Sequence, residues 1–256
     1  MQRLLLPLLA LPLFACSAPS ASVGVHVGQF ALDGDLGLAT AAAGGAVTPT
    51  SFDGLGLGDD STSLGADVLL NFGIPTLVLS AVQADFSGSG ALADDFTVGN
   101  GTIPGGTSVA SALDVSMYQA FFLFEVVPGD TVDLAIGLGV DMLEFDGSFT
   151  GTVVGNSETL ALDQTVPVPV LGARAAVALG PVALSAFLTG ADWELGDLEV
   201  SAVDLDLRAG VNVYGPLDGF LGYRKNSLDI DYVDGEDAGQ LDFGIGGLYL
   251  GVQAGF

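Results

Sequence analysis

From residue 22 onward, apolar residues recur at every second position, the spacing that places one face of a β-strand against apolar surroundings. In 64–74, Leu64, Ala66, Val68, Leu70, Phe72 and Ile74 face one way, while Gly65, Asp67, Asn71 and Gly73 face the other. In 132–142, Val132, Leu134, Ile136, Leu138, Val140 and Met142 oppose Asp133, Ala135, Gly137, Gly139 and Asp141. In 200–214, Val203, Leu205, Leu207, Ala209, Val211 and Val213 oppose Asp204, Asp206, Arg208, Gly210 and Asn212. No segment in this part carries a helical period, and glycine and β-branched residues are abundant.

Proline marks where the runs break. Ile74-Pro75-Thr76, Val127-Pro128-Gly129-Asp130, Leu179-Gly180-Pro181 and Tyr214-Gly215-Pro216-Leu217-Asp218 each separate two alternating runs, and proline suits tight turns because it cannot donate to a ladder. Longer segments rich in Gly, Asp, Ser and Thr fall at about 37–62, 88–110, 146–165, 195–199 and 232–240 and read as loops. The strands predicted between them are 22–36, 63–74, 76–87, 111–127, 131–145, 166–180, 182–194, 200–214, 218–231 and 241–256, ten in all. Eight is the alternative if the weak first or seventh is misassigned. Strand 218–231 loses phase, because Arg224 and Asp229 require a bulge near Lys225–Ser227 to share a face.

Short turns at one rim and longer loops at the other, with one apolar and one polar face per strand, predict an all-β, antiparallel, up-and-down transmembrane β-barrel. The apolar rows are nearly free of charge, and charge sits at mid-strand on the polar rows, as at Asp206 and Arg208. A soluble sandwich would place its apolar rows inward instead. Aromatics near strand ends (Phe72, Tyr214, Phe220 and Phe256 at turns; Phe86, Phe145, Trp193 and Tyr232 near loops) fit interfacial girdles. An even strand number puts both termini at the short-turn rim.

The N-terminus is set apart from the barrel. Arg3 followed by the apolar stretch Leu4–Phe14 is too short for a spanning helix and reads as a signal peptide, so residues 1–21 are assigned to signal and spacer and 22–256 to the barrel. Leu13-Phe14-Ala15-Cys16 resembles a bacterial lipobox, which implies cleavage before Cys16 and lipidation of that cysteine; Phe14 departs from the usual small residue there. An ordinary cleavage site near Ala18 or Ala21 is the alternative. Cys16 is the only cysteine, so no intramolecular disulfide can form. The last strand, with Leu248, Leu250, Val252, Ala254 and Phe256 on one face, resembles the closing strand of Gram-negative outer-membrane barrels. That resemblance implies that Phe256, Ala254, Val252 and Leu250 form a signal for the barrel-assembly machinery.

The chain carries 31 acidic and five basic residues among 256, for a formal charge of −26. This excludes nucleic acid as a natural partner, since phosphate binding needs Lys and Arg. If the polar rows face the lumen, Arg174, Arg208 and Arg224 lie there with Asp67, Asp85, Asp133, Asp141, Asp204 and Asp206. A barrel this narrow fills with side chains, and buried arginines require carboxylate partners. The prediction is a lumen charge network; the alternative is a narrow polar path for small solutes or cations. His26, the only histidine, lies toward the short-turn rim without a serine motif, so an outer-membrane hydrolase is the weakest reading. Asp59-Asp60, Asp94-Asp95, Asp192 with Glu194, and Asp231, Asp234, Glu236 and Asp237 lie in the predicted loops, where carboxylates suit divalent cations. No cofactor and no metal site are predicted.

The closing third, through Pro169-Val170-Leu171-Gly172-Ala173-Arg174, Leu221-Gly222-Tyr223-Arg224, Leu228-Asp229-Ile230-Asp231-Tyr232 and Gly247-Leu248-Tyr249-Leu250-Gly251, also resembles a poorly characterised family of small Gram-negative outer-membrane barrel proteins. It implies the fold and an outer-membrane location, with outer-membrane lipid as surroundings, and brings no catalytic residues. The reading as a whole is a non-enzymatic barrel, structural or surface-interacting, with acidic external loops.

Overall fold

The structure is a computed structural model describing residues 19–39, 49–58, 60–73, 75–98, 101–127, 129, 131–153, 156–234 and 237–256. Its strands are β1 (Ser20–Ala39), β2 (Thr50–Ser51), β3 (Ser61–Asn71), β4 (Pro75–Ala91), β5 (Phe96–Val98), β6 (Gly101–Ile103), β7 (Ser108–Val127), β8 (Val132–Val153), β9 (Asn156–Leu179), β10 (Val182–Leu195), β11 (Leu198–Tyr214), β12 (Leu217–Asp234) and β13 (Asp237–Gly255). Ten of them form a closed antiparallel ring in the order β1-β3-β4-β7-β8-β9-β10-β11-β12-β13, with β13 pairing back onto β1 from Ser22↔Gly255 to Ala39↔Ala238. The ten strands match those predicted one for one.

At one rim the chain turns tightly and both ends of the barrel domain meet. Ala21 and Phe256 exchange backbone hydrogen bonds of 3.2 and 2.8 Å. In the turn between β9 and β10, Gly180 takes φ +66° and Pro181 follows. Positive φ at the first central position and proline's fixed negative φ at the second suit a hairpin turn whose twist matches the strands.

Outward side chains form an apolar belt above this rim. On β8 it runs from Val132 through Leu134, Ile136, Leu138 and Val140, each at least 40% exposed, to Met142. Eleven residues at about 3.3 Å each, tilted by about 40°, give a belt roughly 25–28 Å tall, the hydrocarbon height of a membrane-spanning barrel. Val23, Val25 and Val27 on β1, Val203, Leu207 and Val211 on β11, and Leu248, Leu250 and Val252 on β13 continue it around the ring. Exposed rows of this kind are tolerated only in lipid, and the ladder closes the ring over most of the belt's height. The chain is a transmembrane β-barrel of the outer-membrane type.

Above the belt the strands continue and both faces change character. Outward positions become acidic or hydroxylic, whereas inward positions become a buried apolar core of Phe30, Leu32, Phe86, Leu113, Phe145, Phe149, Leu160 and Phe243. The loop between β1 and β3 packs Phe52, Leu55 and Leu57 into this upper end, and the β5–β6 hairpin adds Phe96 and Ile103. Phe96 meets Phe149 edge-on at 5.1 Å, and Phe145 meets Phe243 likewise at 5.0 Å.

This inversion accounts for four corrections. Much of the predicted loop at 146–165 is strand, β8 and β9 pairing from Asp146↔Asp163 up to Val153↔Asn156; its polarity reflects an outer face in water and not irregular backbone. Asp85 does not face the lumen but water, since it lies above the belt. No bulge interrupts Lys225–Ser227, where β12 keeps its ladder to both neighbours; Arg224 points in and Asp229 out, and above the belt an outward carboxylate is solvated. Phe86 and Phe145 are buried inside rather than in a girdle, while Phe72, Tyr214 and Phe256 stand exposed at the short-turn rim as expected; Phe220 is also buried, but lower, as an inward residue of the belt region.

Substituting Ile136 by arginine should lower stability in lipid bilayers by about 2–4 kcal/mol, whereas arginine at Ser148 on the same face of β8 should change it by less than about 0.5 kcal/mol. Denaturant unfolding in vesicles measures both, and equal penalties would place the belt wrongly.

Candidate functional site

Inside the belt the alternation brings the predicted charged residues together in three clusters. Nearest the short-turn rim, Arg174 donates from Nη2 to Asp133 Oδ2 at 2.6 Å. Next, Arg208 donates to Asp67 Oδ2 at 2.9 Å and, through Nη2 and Nε, to Asp206 Oδ2 at 2.6 and 3.0 Å. Tyr249 donates its hydroxyl to the other oxygen of Asp206. Closest to the apolar core, Arg224 is 3% exposed and donates from Nε to both oxygens of Asp204 at 3.1 Å, with Gln119 Nε2 donating to Asp204 at 2.7 Å. Asp141 lies beside this cluster, accepting from Thr189 at 3.4 Å. Eight of the nine predicted lumen residues are inward and ion-paired or hydrogen-bonded, Asp85 being the exception.

Aromatic rings fill the space between the charges. The Arg208 guanidinium lies 5.3 Å from the Phe220 ring centre and 5.5 Å from that of Tyr249, a spacing at which the ring faces attract a cation. His26 packs edge-on against Tyr249 at 4.7 Å and is buried. Glycines make the room: a Cβ on Gly65 would lie 2.0 Å from His26 Nε2, and one on Gly222 would lie 2.2 Å from Tyr249 Cζ. His26 is thus one element of the lumen packing, and its Nδ1 is buried with no hydrogen-bond partner among the described residues. Polar space remains at the short-turn end: a vestibule of about 210 Å³ bounded by Asp67, Arg174, Asp206 and Arg208, and a second of about 330 Å³ touching Ser185, Arg208, Asn212 and Asp218.

Gln119, Tyr249, Thr189 and Ser80 were not singled out from the sequence. Their inward placement follows from the same alternation, and Tyr249 stood on the polar side of its strand. What the sequence withheld was which strands face one another across the lumen.

The carboxylates outside are also organised. Asp85, Asp114, Asp146 and Asp163 are direct neighbours across four strands, and Asp35, Asp242 and Asp229 across three. Like charges directly opposite repel. Partial burial first, then Asp85 and Asp146, raise the Asp114 carboxyl above its ordinary value; partial burial first, then Asp229, Asp35 and Asp33, do the same for Asp242. Asp192 and Glu194 lie on β10 and Asp231 on β12, so these predicted loop acids belong to the wall above the belt. Among the described residues, no three His, Cys, Asp or Glu side chains are grouped so as to hold a metal ion. Cys16, Asp59 and Glu236 lie outside the described residues.

No family model matches the sequence, and no curated protein matches it. Solved structures matching over most of the chain include Neisserial surface protein A (11% identity, 92% of this chain and 95% of that one, TM-score 0.33). Ail, the attachment invasion locus protein of Yersinia pestis, matches at 10% identity over 93% and 99%, with a TM-score of 0.35. The translocator domain of the autotransporter NalP from Neisseria meningitidis matches at 15% over 92% and 87%, with a TM-score of 0.41. At these identities and scores, the function of this chain is left to its own geometry.

Two outcomes test the electrostatics. Arg208→Met leaves Asp67 and Asp206 buried without their cation and should cost about 3–5 kcal/mol, read by denaturant unfolding, with Asp206→Asn in the same chain recovering part of it. On the outer wall, the folded state holds the Asp114 and Asp242 protons more tightly than the unfolded chain does. Their contribution to stability therefore falls as pH rises from the ordinary carboxylate value through the raised one, and returns on acidification. Compared with the native chain, Asp114→Asn with Asp242→Asn should be more stable at neutral pH and equal at the acid end, the gap narrowing with salt. Thermal unfolding across a pH series checks this.

Proposed function

We propose that the protein is a non-enzymatic outer-membrane barrel closed to passage, with its interactions at the external end. The observation that carries this is the lumen filling: three arginine–carboxylate clusters, wedged by Phe220, Tyr249 and His26, lie beneath the buried apolar residues of the upper barrel. A buried ion pair with further hydrogen bonds is costly to break, because either charge alone would be left desolvated. The acidic wall above the belt is the surface presented outward, and its repulsion of anions selects neutral or cationic partners. The alternative of a narrow cation path is favoured only by the surplus of carboxylates over arginines in the lumen.

In this reading, cleavage precedes Cys16, the lipidated cysteine anchors the start of β1, and Phe256 with Ala254, Val252 and Leu250 is read by the barrel-assembly machinery. Leu250, Val252 and Phe256 are outward and more than half exposed, as such a reader requires. Ser20 and Ala21 already belong to β1, so cleavage at Ala21 would remove residues paired with β3 and β13.

Planar-bilayer recording tests the closed lumen. The native chain should give no stepwise current, while Arg208→Ser combined with Arg224→Ser should produce openings. Stepwise, cation-selective currents from the native chain would replace this reading with the channel.

A further inference from the structure

Among the described residues the wall is incomplete between β9 and β10. β9 and β10 pair only from Val182↔Leu179 to Gly190↔Leu171. Above that level, β9 continues with β8 to Asn156 and β10 continues with β11 to Leu195, but the two no longer meet. Pro167 and Pro169 lie on this stretch. The ladder from β9 to β8 runs through both without interruption, so the donors that proline lacks belong to the opposite edge, the one facing β10. Two missing donors two residues apart disfavour closure of that seam. Its lower end, at Leu171 and Gly190, lies in the belt; its upper end lies among the acids.

Behind the seam is a cavity of about 400 Å³ in the upper barrel. Its lining is mostly apolar, with Leu162, Val168, Val200 and Ile230 among the walls, and includes Gln164 and Gln240. It touches Val166 and Val168, which face inward, and Thr165 and Pro167, which face outward. A space that touches both faces of one strand passes around that strand's edge, so the cavity opens through the seam. Trp193, on β10 beside the seam, also lines it, and its indole Nε1–H is buried with no acceptor among the described residues.

We propose that this cavity binds a small neutral apolar molecule carrying one hydrogen-bond acceptor, admitted through the β9–β10 seam. The volume falls within the range of small-molecule sites. The apolar walls take the hydrocarbon, and Trp193 Nε1–H supplies a buried donor; Gln164, Thr165 and Gln240 also line the cavity. The wall outside selects against anions: Asp163 on β9 and Asp192 and Glu194 on β10 flank the seam, and the cationic side chain of Lys225 stands on β12, near Asp33 at 3.8 Å. A carboxylate amphiphile would have to pass these acids and end without a cationic partner. The proposal goes beyond the closed-lumen reading and stands independently of it, since the cavity lies above the charge clusters.

Trp193 is the only tryptophan in the chain, so its emission reports occupancy directly. Titration of the full barrel in vesicles compares 2-undecanone, undecane and undecanoate. The ketone should bind saturably with a shift in Trp193 emission, at least about tenfold tighter than undecanoate. Trp193→Phe, followed by displacement of a neutral apolar dye, should weaken the ketone about three- to tenfold and leave the alkane unchanged. Val166→Phe should block all three while the barrel still shows its folded electrophoretic mobility. Pro167→Val with Pro169→Val should slow association. Preloading the ketone into donor vesicles, against adding it from water, distinguishes a membrane from an aqueous source. No saturable change in Trp193 emission, undecanoate binding as tightly as the ketone, or equal loss of ketone and alkane in Trp193→Phe would overturn the site. An association rate unchanged by the proline substitutions would overturn the seam as its entrance. Bilayer currents bear on the closed lumen alone.

Discussion

The constraint on which the structure depends is the height at which each strand exchanges its apolar face. Lipid requires an apolar outside and leaves polar groups no place but the lumen, whereas water a few residues higher requires the reverse. On β8 the change falls between Met142 and Glu144 outside and between Asp141 and Leu143 inside. The strand alternates without a break across the boundary. Only the identity of the apolar row changes, from Ile136, Leu138 and Val140 facing lipid to Leu143, Phe145 and Phe149 facing the core.

From that exchange the lumen acquires two compartments with different physics. In the lower one, polar groups without bulk water must satisfy one another, so arginines and aspartates on β3, β8, β9, β11 and β12 pair across the interior. Glycines at 65 and 222 are needed because a narrow ring cannot hold both aromatic wedges and opposing Cβ atoms. In the upper one, apolar burial supplies cohesion much as in a soluble barrel, and loop residues Phe52, Leu55 and Leu57 are drawn in to complete it. The repelling carboxylate rows outside oppose this cohesion and make the upper part sensitive to pH and salt.

The part of this legible in the sequence was the part carried by period two. Strand number, the meeting of the termini and the inward direction of eight of the nine lumen charges follow from alternation. Alternation does not state which face is wet. Segments such as Thr159–Thr165 read as loop because their outward residues are hydroxylic and acidic, although Leu160 and Leu162 kept the period. Asp85 and Asp229 stand outside for the same reason: above the belt the outward face is the polar one. The β9–β10 seam depends on register between two strands, which proline at 167 and 169 hints at and cannot specify.

The central claim is that the strands leave the membrane partway up and invert there. Nitroxide labels placed one at a time along the outward row of β8, at Ile136, Leu138, Val140, Glu144, Asp146 and Ser148, measure it directly by relative accessibility to oxygen and to a water-soluble nickel complex. The account predicts oxygen-dominated contact at 136–140 and nickel-dominated contact at 146–148, with the crossover near 142–144. Oxygen-dominated contact continuing through Ser148, or nickel access at Leu138, would contradict it.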